Sequence, residues 1–241
     1  MKVGAILPAL NAARFLPQVI GDIRRAQPQV SVLVVDDGSS DTTAETARLE
    51  GAHVIAHPRN LGKGMALRTG YAWAQEQGLD WVFTLDSDGQ HLPGEMQAFL
   101  DAAATGKWDA LVGTRMASTS NMPWLRKWTN ITTSRVISGL AGCTIPDSQS
   151  GYRLYRVAKL RGLRLRTTRY DAESEILVRL ARGGARIGAV PISTVYGDQV
   201  SSIRPLVDTG RFLRLVALLA FTRDRTRGSA LDEPTRTGNH G

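Results

Sequence analysis

Cysteine is nearly absent: Cys143 is the single one in 241 residues. It cannot form an internal disulfide and belongs to no metal-spaced cluster, so a zinc ribbon or a disulfide scaffold is excluded and a reducing, cytoplasmic compartment is expected. Long apolar runs are missing as well. No stretch reaches the roughly 18 to 20 apolar residues that span a bilayer, and residues 1 to 20 lack the charged start, apolar core and small-residue cleavage site of a secretory signal. The chain is therefore not expected to cross a membrane by itself. Acidic residues are outnumbered, 22 against 30 Lys and Arg, for a net charge of +8. That excess asks for an anionic partner, with nucleic acid, phosphorylated substrates and anionic lipid surfaces as the candidate classes. Ten of the basic residues fall between Arg153 and Arg186, where a solvated basic face is the alternative to phosphate or membrane contact.

What the chain does have is a core's worth of apolar residues, 42%, arranged in short runs. Residues 3 to 7, 30 to 35, 53 to 57, 81 to 85 and 110 to 114 are rich in branched side chains and bounded by turn residues, and predict buried strands. Helices are expected between them, beginning near Ala13, Asp41, Gly64 and Pro93, with Gly51 and Gly78 as left-handed terminators. This alternation predicts an α/β fold with a mostly parallel, helix-covered sheet, in which ligands bind beyond the carboxyl ends of the strands.

Two acidic clusters fall on that edge. The second strand runs into Asp36, Asp37 and Asp41, and the fourth into Asp86, Ser87, Asp88, Gly89, Gln90 and His91. Asp41 reads best as a helix cap, and Asp36 or Asp37 could cap a turn. Asp86 and Asp88 are harder to explain structurally. Alternation directs both carboxylates the same way, and with Gln90 they form the hard oxygen set that magnesium or manganese prefers.

The segments LPALN, VVDDGSSD, NLGKGMALRTGY, LDSDGQH and GTR, in this order and strand context, resemble the family 2 glycosyltransferases of the GT-A fold. The later segments DSQSGYRLYR, YDAESEILVRL and VPISTVYGDQVSSIRP are similar to the polyprenyl-phosphate sugar transferases of that family, the dolichyl-phosphate mannosyltransferase group. The resemblance covers roughly residues 2 to 220. It implies one Rossmann-like catalytic domain, with a nucleotide-sugar half over about 1 to 115 and an acceptor half over about 116 to 220; the composition of 222 to 241 suits a disordered tail.

Position by position, the resemblance places Asp36 and Asp37 at the nucleotide's base and ribose, with Pro8 and Asn11 bordering that pocket. Asp86, Asp88 and Gln90 match the metal-binding DxDxQ pattern, and Mg2+ or Mn2+ would join the protein to the diphosphate of a donor such as GDP-mannose or UDP-glucose. Lys63 and Arg115 match positions near that diphosphate, although either could be a surface cation. Arg204 matches an arginine on a closing loop. Ala12 stands where many relatives carry glutamate, removing a polar contact beside the nucleotide. On the acceptor side, Asp147 is the general-base candidate if the acceptor is a hydroxyl; a polyprenyl phosphate needs no base, and Asp147 would then orient Arg153 or a substrate hydroxyl. Glu173 and Glu175 lie about 200° apart on a helix, so one of them, Glu173, is expected in the cleft; salt bridges to nearby arginines are the alternative for Asp147 and Glu173.

A peripheral membrane contact at the inner face of the membrane is expected from two further features. Trp124 and Trp128 share a helical face beside Arg126 and Lys127, which fits a bilayer interface or a lid over the acceptor cleft equally well. Leu206, Leu213, Val216 and Ala220 form one stripe of a helix over 205 to 221, which suits core packing more than an exposed interface. Other classes fit poorly: a phosphatase would carry DxDGT on an early strand, a dinucleotide enzyme GxGxxG after the first strand, and a nucleic-acid module would not set four aspartates against phosphate. A non-catalytic nucleotide-sugar-binding protein and a transferase with a hydroxyl acceptor remain the alternatives.

Overall fold

The computed structural model describes residues 1–115, 124–163, 165–169, 171–193 and 205–221, with the side chains of 124–128, 205–209, 211 and 221 left out of the description. Among the described residues seven strands form one sheet: β1 (Val3–Ala9), β2 (Ser31–Asp36), β3 (His53–Ala56), β4 (Trp81–Thr84), β5 (Ala110–Thr114), β6 (Arg153–Arg156) and β7 (Ile187–Pro191). Their order is β3-β2-β1-β4-β6-β5-β7, and only β6 runs antiparallel to its neighbours. The five expected strands are present within two residues of their expected ends. The sequence reading missed β6 and β7. Both come from the second half of the chain, and β6 inserts between β4 and β5, so the two halves share one sheet.

Helices cover both faces, as continuous apolar strands require. Along β1 the side chains alternate: Ala5, Leu7 and Ala9 join the core beneath α1 (Leu16–Ala26) and α4 (Met96–Ala104), while Ile6 packs on the other face. That second face is covered by α3 (Lys63–Glu76), α5 (Trp124–Ala141), α6 (Val157–Leu160), α7 (Asp171–Arg182) and α8 (Pro205–Phe221), and α2 (Thr43–Leu49) flanks the β2–β3 edge. Gly51 and Gly78 follow α2 and α3 with φ of 72° and 61°, as expected of left-handed terminators. The first helix begins at Leu16 rather than near Ala13. The N–H groups of Ala12 and Ala13 are already held by Thr43 Oγ1 (2.8 Å) and Asp41 Oδ2 (3.2 Å), and Pro17 suits the first turn that follows.

The C-terminal helix corrects an expectation. Leu215 and Leu219 are its inward residues, packed with α5 and α7, whereas of the stripe read as core Leu213 is 62% exposed, Ala220 is exposed and Val216 is only half-buried. Leu206, the tail over 222–241, Arg204 and the side chains of Trp124, Arg126, Lys127 and Trp128 lie outside what is described. Among the described residues no helix is long and apolar enough to cross a membrane.

Candidate active site

The chain switches direction at β1: β2 lies on one side of it and β4 on the other, which opens a crevice at their carboxyl ends. Pro8 helps keep that crevice open. Ile6 O accepts from Leu85 N on the β4 side and Ala9 O from Asp37 N on the β2 side, so Pro8, sharing the parity of Ile6, turns its missing donor toward a stretch where β4 has already ended at Thr84.

On the β2 side, Asp36 and Asp37 are both buried but differ in what they hold. Asp36 Oδ1 accepts from Ser39 N at 3.0 Å and Ser39 Oγ at 2.5 Å. Asp37 is surrounded: Leu61 N (3.0 Å), Gly62 N (2.7 Å) and His57 Nδ1 (2.7 Å) all reach its carboxylate, and His57 Nε2 meets Thr69 Oγ1 at 2.9 Å. Asp37 thus pins the loop before α3 to the end of β2. Between these anchors Gly38 adopts φ of 74°, and a Cβ there would lie 2.3 Å from the Arg59 carbonyl carbon. Asn11, at φ of 52°, closes the rim: its Oδ1 accepts from Ser40 N at 2.9 Å, and its N–H donates to Ser39 Oγ at 2.9 Å. Asp41 accepts from Thr43 N and Ala13 N; its role is structural, as expected, but it stands one residue before the α2 cap position, Thr42. Ala12, the departure from the family pattern, is buried in the core under α1.

On the β4 side, Lys63 Nζ lies 2.5 Å from Asp86 Oδ1 and 3.0 Å from Glu173 Oε2. Residues from α3, the β4 end and α7 therefore meet at one point. Burial by itself would raise the pKa of Asp86, but the Lys63 charge overrides it and holds the carboxyl well below its ordinary range. Burial would likewise lower the pKa of Lys63, and Asp86 and Glu173 reverse this and hold the ammonium charged. Asp88 goes the other way: burial raises its pKa, and the Asp86 charge adds to that against the Gln90 N–H that donates to Asp88 Oδ1 at 3.0 Å. His91, 8% exposed, lies with Nε2 3.4 Å from Asp86 Oδ2 and its ring against Tyr152.

Two carboxylates one residue apart, the second disfavoured as an anion by burial and by the Asp86 charge, with a glutamine two residues further on, suit a hard divalent cation that keeps positions for other oxygen ligands. A closed protein cage is absent: among the described residues no three His, Cys, Asp or Glu side chains gather as a metal site.

The loop over 147–152 forms the floor. Arg115 grips Asp147 with two bonds, Nε to Oδ2 at 2.9 Å and a terminal nitrogen to Oδ1 at 3.1 Å, and Gln149 N donates to the same Oδ1 at 3.1 Å. Asp147 is 2% exposed. Arg153, 1% exposed, donates to Ser150 O (2.6 Å), Ser148 O (2.9 Å), Glu173 O (2.6 Å) and Tyr155 Oη (3.0 Å). It braces the loop and the start of α7 from below, and Asp147 pairs with Arg115, not with Arg153. Gly151 touches Asp86: a Cβ there would stand 2.4 Å from Asp86 Oδ2. Glu175 is engaged elsewhere, accepting from the backbone at Arg166 N (3.0 Å) and Thr167 N (2.8 Å) and from the side chain at Arg179 Nε (2.6 Å).

Lys63, Asp86 and Glu173 are thus brought together, Asp88 and Gln90 flank them, Arg115 and Asp147 pair on the adjoining loop, and Pro8, Asn11, Asp36 and Asp37 line the β2 side. Gly151, His57 and His91 were not assigned from sequence. Gly151 and His57 act through partners 65 and 20 residues away, which no local pattern reports; His91 stood in the DSDGQH segment without a role.

The model of the glycosyl transferase family 2 matches residues 5–164. The undecaprenyl-phosphate mannosyltransferase of Micrococcus luteus is 34% identical over 209 residues, covering 81% of this chain and 84% of that protein. The UDP-N-acetylglucosamine–dolichyl-phosphate N-acetylglucosaminyltransferase of Methanococcus voltae is 31% identical, covering 80% and 85%. Among solved structures, glucosyl-3-phosphoglycerate synthase from Mycobacterium tuberculosis, crystallised with Mn2+, UDP-glucose and phosphoglyceric acid, superposes with a TM-score of 0.68 at 21% identity, over 92% of this chain and 81% of that one. The acid pair at the end of β4, the crevice at the β1 switch and these matches agree: the chain belongs to glycosyl transferase family 2, has the GT-A fold and is a glycosyltransferase.

Proposed function

We propose that the enzyme transfers a hexose, with inversion, from a nucleoside-diphospho-sugar to the phosphate of a polyprenyl phosphate, at a site that uses Mg2+ or Mn2+. The observation that carries the acceptor assignment is the state of Asp147. A carboxylate buried at 2% exposure, clamped by both arms of Arg115 and by Gln149 N–H, is committed to the protein and poorly placed to take a proton from an alcohol. An acceptor phosphate is already ionised near neutral pH and needs no base. The similarity to the undecaprenyl-phosphate and dolichyl-phosphate transferases, over more than four-fifths of each of those chains, supports the same acceptor class.

In this reading Asp86, Asp88 and Gln90 hold the cation, which when bound supplies Lewis-acid stabilisation of the departing diphosphate. Asp36 faces the nucleoside from the end of β2, with Pro8 and Asn11 as the rim. Asp37 and Arg153 are positioning residues: the first fixes the loop before α3, the second fixes the loop carrying Asp147 and Gly151. Lys63 and Arg115 supply positive charge on the diphosphate side. For the donor we favour GDP-mannose or UDP-glucose, and for Arg204 a place on the segment that closes over it. The catalytic unit runs from residue 1 to about 220, and reversible docking at the inner membrane face brings the cleft to the lipid headgroup.

The test pairs a product assay with a pH profile. Radiolabelled nucleotide sugars and polyprenyl phosphate in vesicles should move label into the organic phase. Asp147→Asn should keep substantial activity and an unchanged basic limb, since no proton acceptor is lost. Label confined to water-soluble product, or near-total loss in Asp147→Asn, overturns the phosphate-acceptor reading.

A further inference from the structure

The charge beside Asp86 is already met from within the protein. Lys63, the first residue of α3, lays its ammonium against Asp86 Oδ1 at 2.5 Å, and its side chain is largely enclosed there. The proposed function gives this same carboxylate to a divalent cation. Two cations cannot share it cheaply, because repulsion over a few ångströms is strong at the effective dielectric of a half-buried site. A second carboxylate stands ready. Glu173 Oε2 already touches the same ammonium at 3.0 Å, and the Glu173 carbonyl is anchored at 2.6 Å by Arg153, so this station is fixed from below.

We propose that Lys63 is the built-in counter-ion of Asp86, displaced by the incoming divalent cation and received by Glu173. The inference rests on the metal-dependent reading above and adds to it. Before the cation arrives, Lys63 offsets the charge of Asp86 and holds the α3, β4 and α7 ends together. Afterwards the ammonium, still held by Glu173, is turned from Asp86 toward the oxygens of the donor diphosphate. Cation and donor then favour one another: the cation frees Lys63 for the diphosphate, and the diphosphate stabilises Lys63 away from Asp86. Without donor, the cation binds against an internal competitor and is held weakly.

The experiment is a Mn2+ titration without donor, with free Mn2+ followed by electron paramagnetic resonance, and with circular dichroism confirming the fold of each variant. Lys63→Met should bind Mn2+ at least about tenfold more tightly than wild type, because the competing charge is gone. Glu173→Gln should bind it more weakly, because the second carboxylate that receives Lys63 is no longer charged. If Glu173 acts through Lys63, Glu173→Gln in the Lys63→Met background should change affinity by less than about threefold. Unchanged or weaker binding in Lys63→Met overturns the counter-ion role and leaves the glycosyltransferase reading standing. Should Lys63→Met fail to fold, wild-type or tighter affinity in Glu173→Gln overturns it. If wild type binds no Mn2+ even with a nucleoside diphosphate present, the metal-dependent reading falls and takes this inference with it.

Discussion

At the scale of single residues the site depends on atoms that leave no room for alternatives. Gly151 shows this best. Its backbone passes so close to Asp86 that an added methyl would stand 2.4 Å from Oδ2, while Thr84 Oγ1 holds the Gly151 carbonyl at 3.2 Å and prevents the loop from retreating. Gly151→Ala must therefore push the Asp86 carboxylate aside. Misplacement of a reacting group by about 1 Å can cost on the order of 100-fold in rate, and overpacking costs about 1–3 kcal/mol in stability. We expect a folded protein with kcat reduced by roughly that factor and a melting temperature lowered by a few degrees; wild-type turnover would show that Asp86 need not stay where it is. Sequence inspection found Asp86 because a carboxylate pair at a strand end is a local pattern. It could not find Gly151, whose significance lies in a neighbour 65 residues away.

At the scale of elements, β1, β2, β4 and β5 were legible because each is an apolar run buried on both faces, and β3 by its short apolar run although, at the sheet edge, it is exposed at both ends rather than buried as expected. The antiparallel β6 was not. Its sequence, RLYR, begins and ends with arginine, and Arg153 is buried only because four oxygen atoms await it. β7, IGAVP, lies at an edge and alternates buried with exposed residues, with Gly188 and Pro191 breaking the run of branched side chains that marked the others. Element contacts also explain Glu175, read from sequence as the outward partner of Glu173. It is fully buried and joins the segment before α7 to the helix itself through Arg166, Thr167 and Arg179. Burial alone would raise its pKa, but the Thr167, Arg166 and Arg179 donors prevail and lower it. The sign follows: a depressed folded-state pKa contributes stability above the unfolded value near 4.5, and that contribution is lost as pH falls through the folded value. Glu175→Gln should thus cost about 2–3 kcal/mol at neutral pH, and the gap to wild type in denaturant unfolding should narrow below about pH 4. A gap that stays constant with pH would mean the carboxylate charge plays no part.

At the scale of the whole molecule, the question is how a chain whose described helices are too short or too polar to span a bilayer reaches a lipid acceptor. A polyprenyl phosphate keeps its tail in the membrane, so the cleft must come to the headgroup plane. The net charge of +8 provides long-range attraction to an anionic surface. Basic side chains near such a surface contribute on the order of 1 kcal/mol each, and the attraction is screened within about 8 Å at physiological salt. For a short-range contact we propose α8, which turns Leu213, Arg214, Ala217 and Ala220 outward while Leu215 and Leu219 hold it to the body. An apolar residue beside an arginine on an exposed helix face suits the interfacial zone. We therefore expect co-sedimentation with anionic vesicles that weakens as salt rises from low to about 0.5 M. Leu213→Glu should weaken it further, since a carboxylate placed at the contact is both desolvated and repelled. The same variant should still turn over a water-soluble short-chain acceptor, because Leu213 belongs to neither the Asp86 cluster nor the Asp36 rim. A wild-type protein that ignores anionic vesicles at low salt would make a soluble acceptor the better reading, and equal binding by Leu213→Glu would move the contact away from α8.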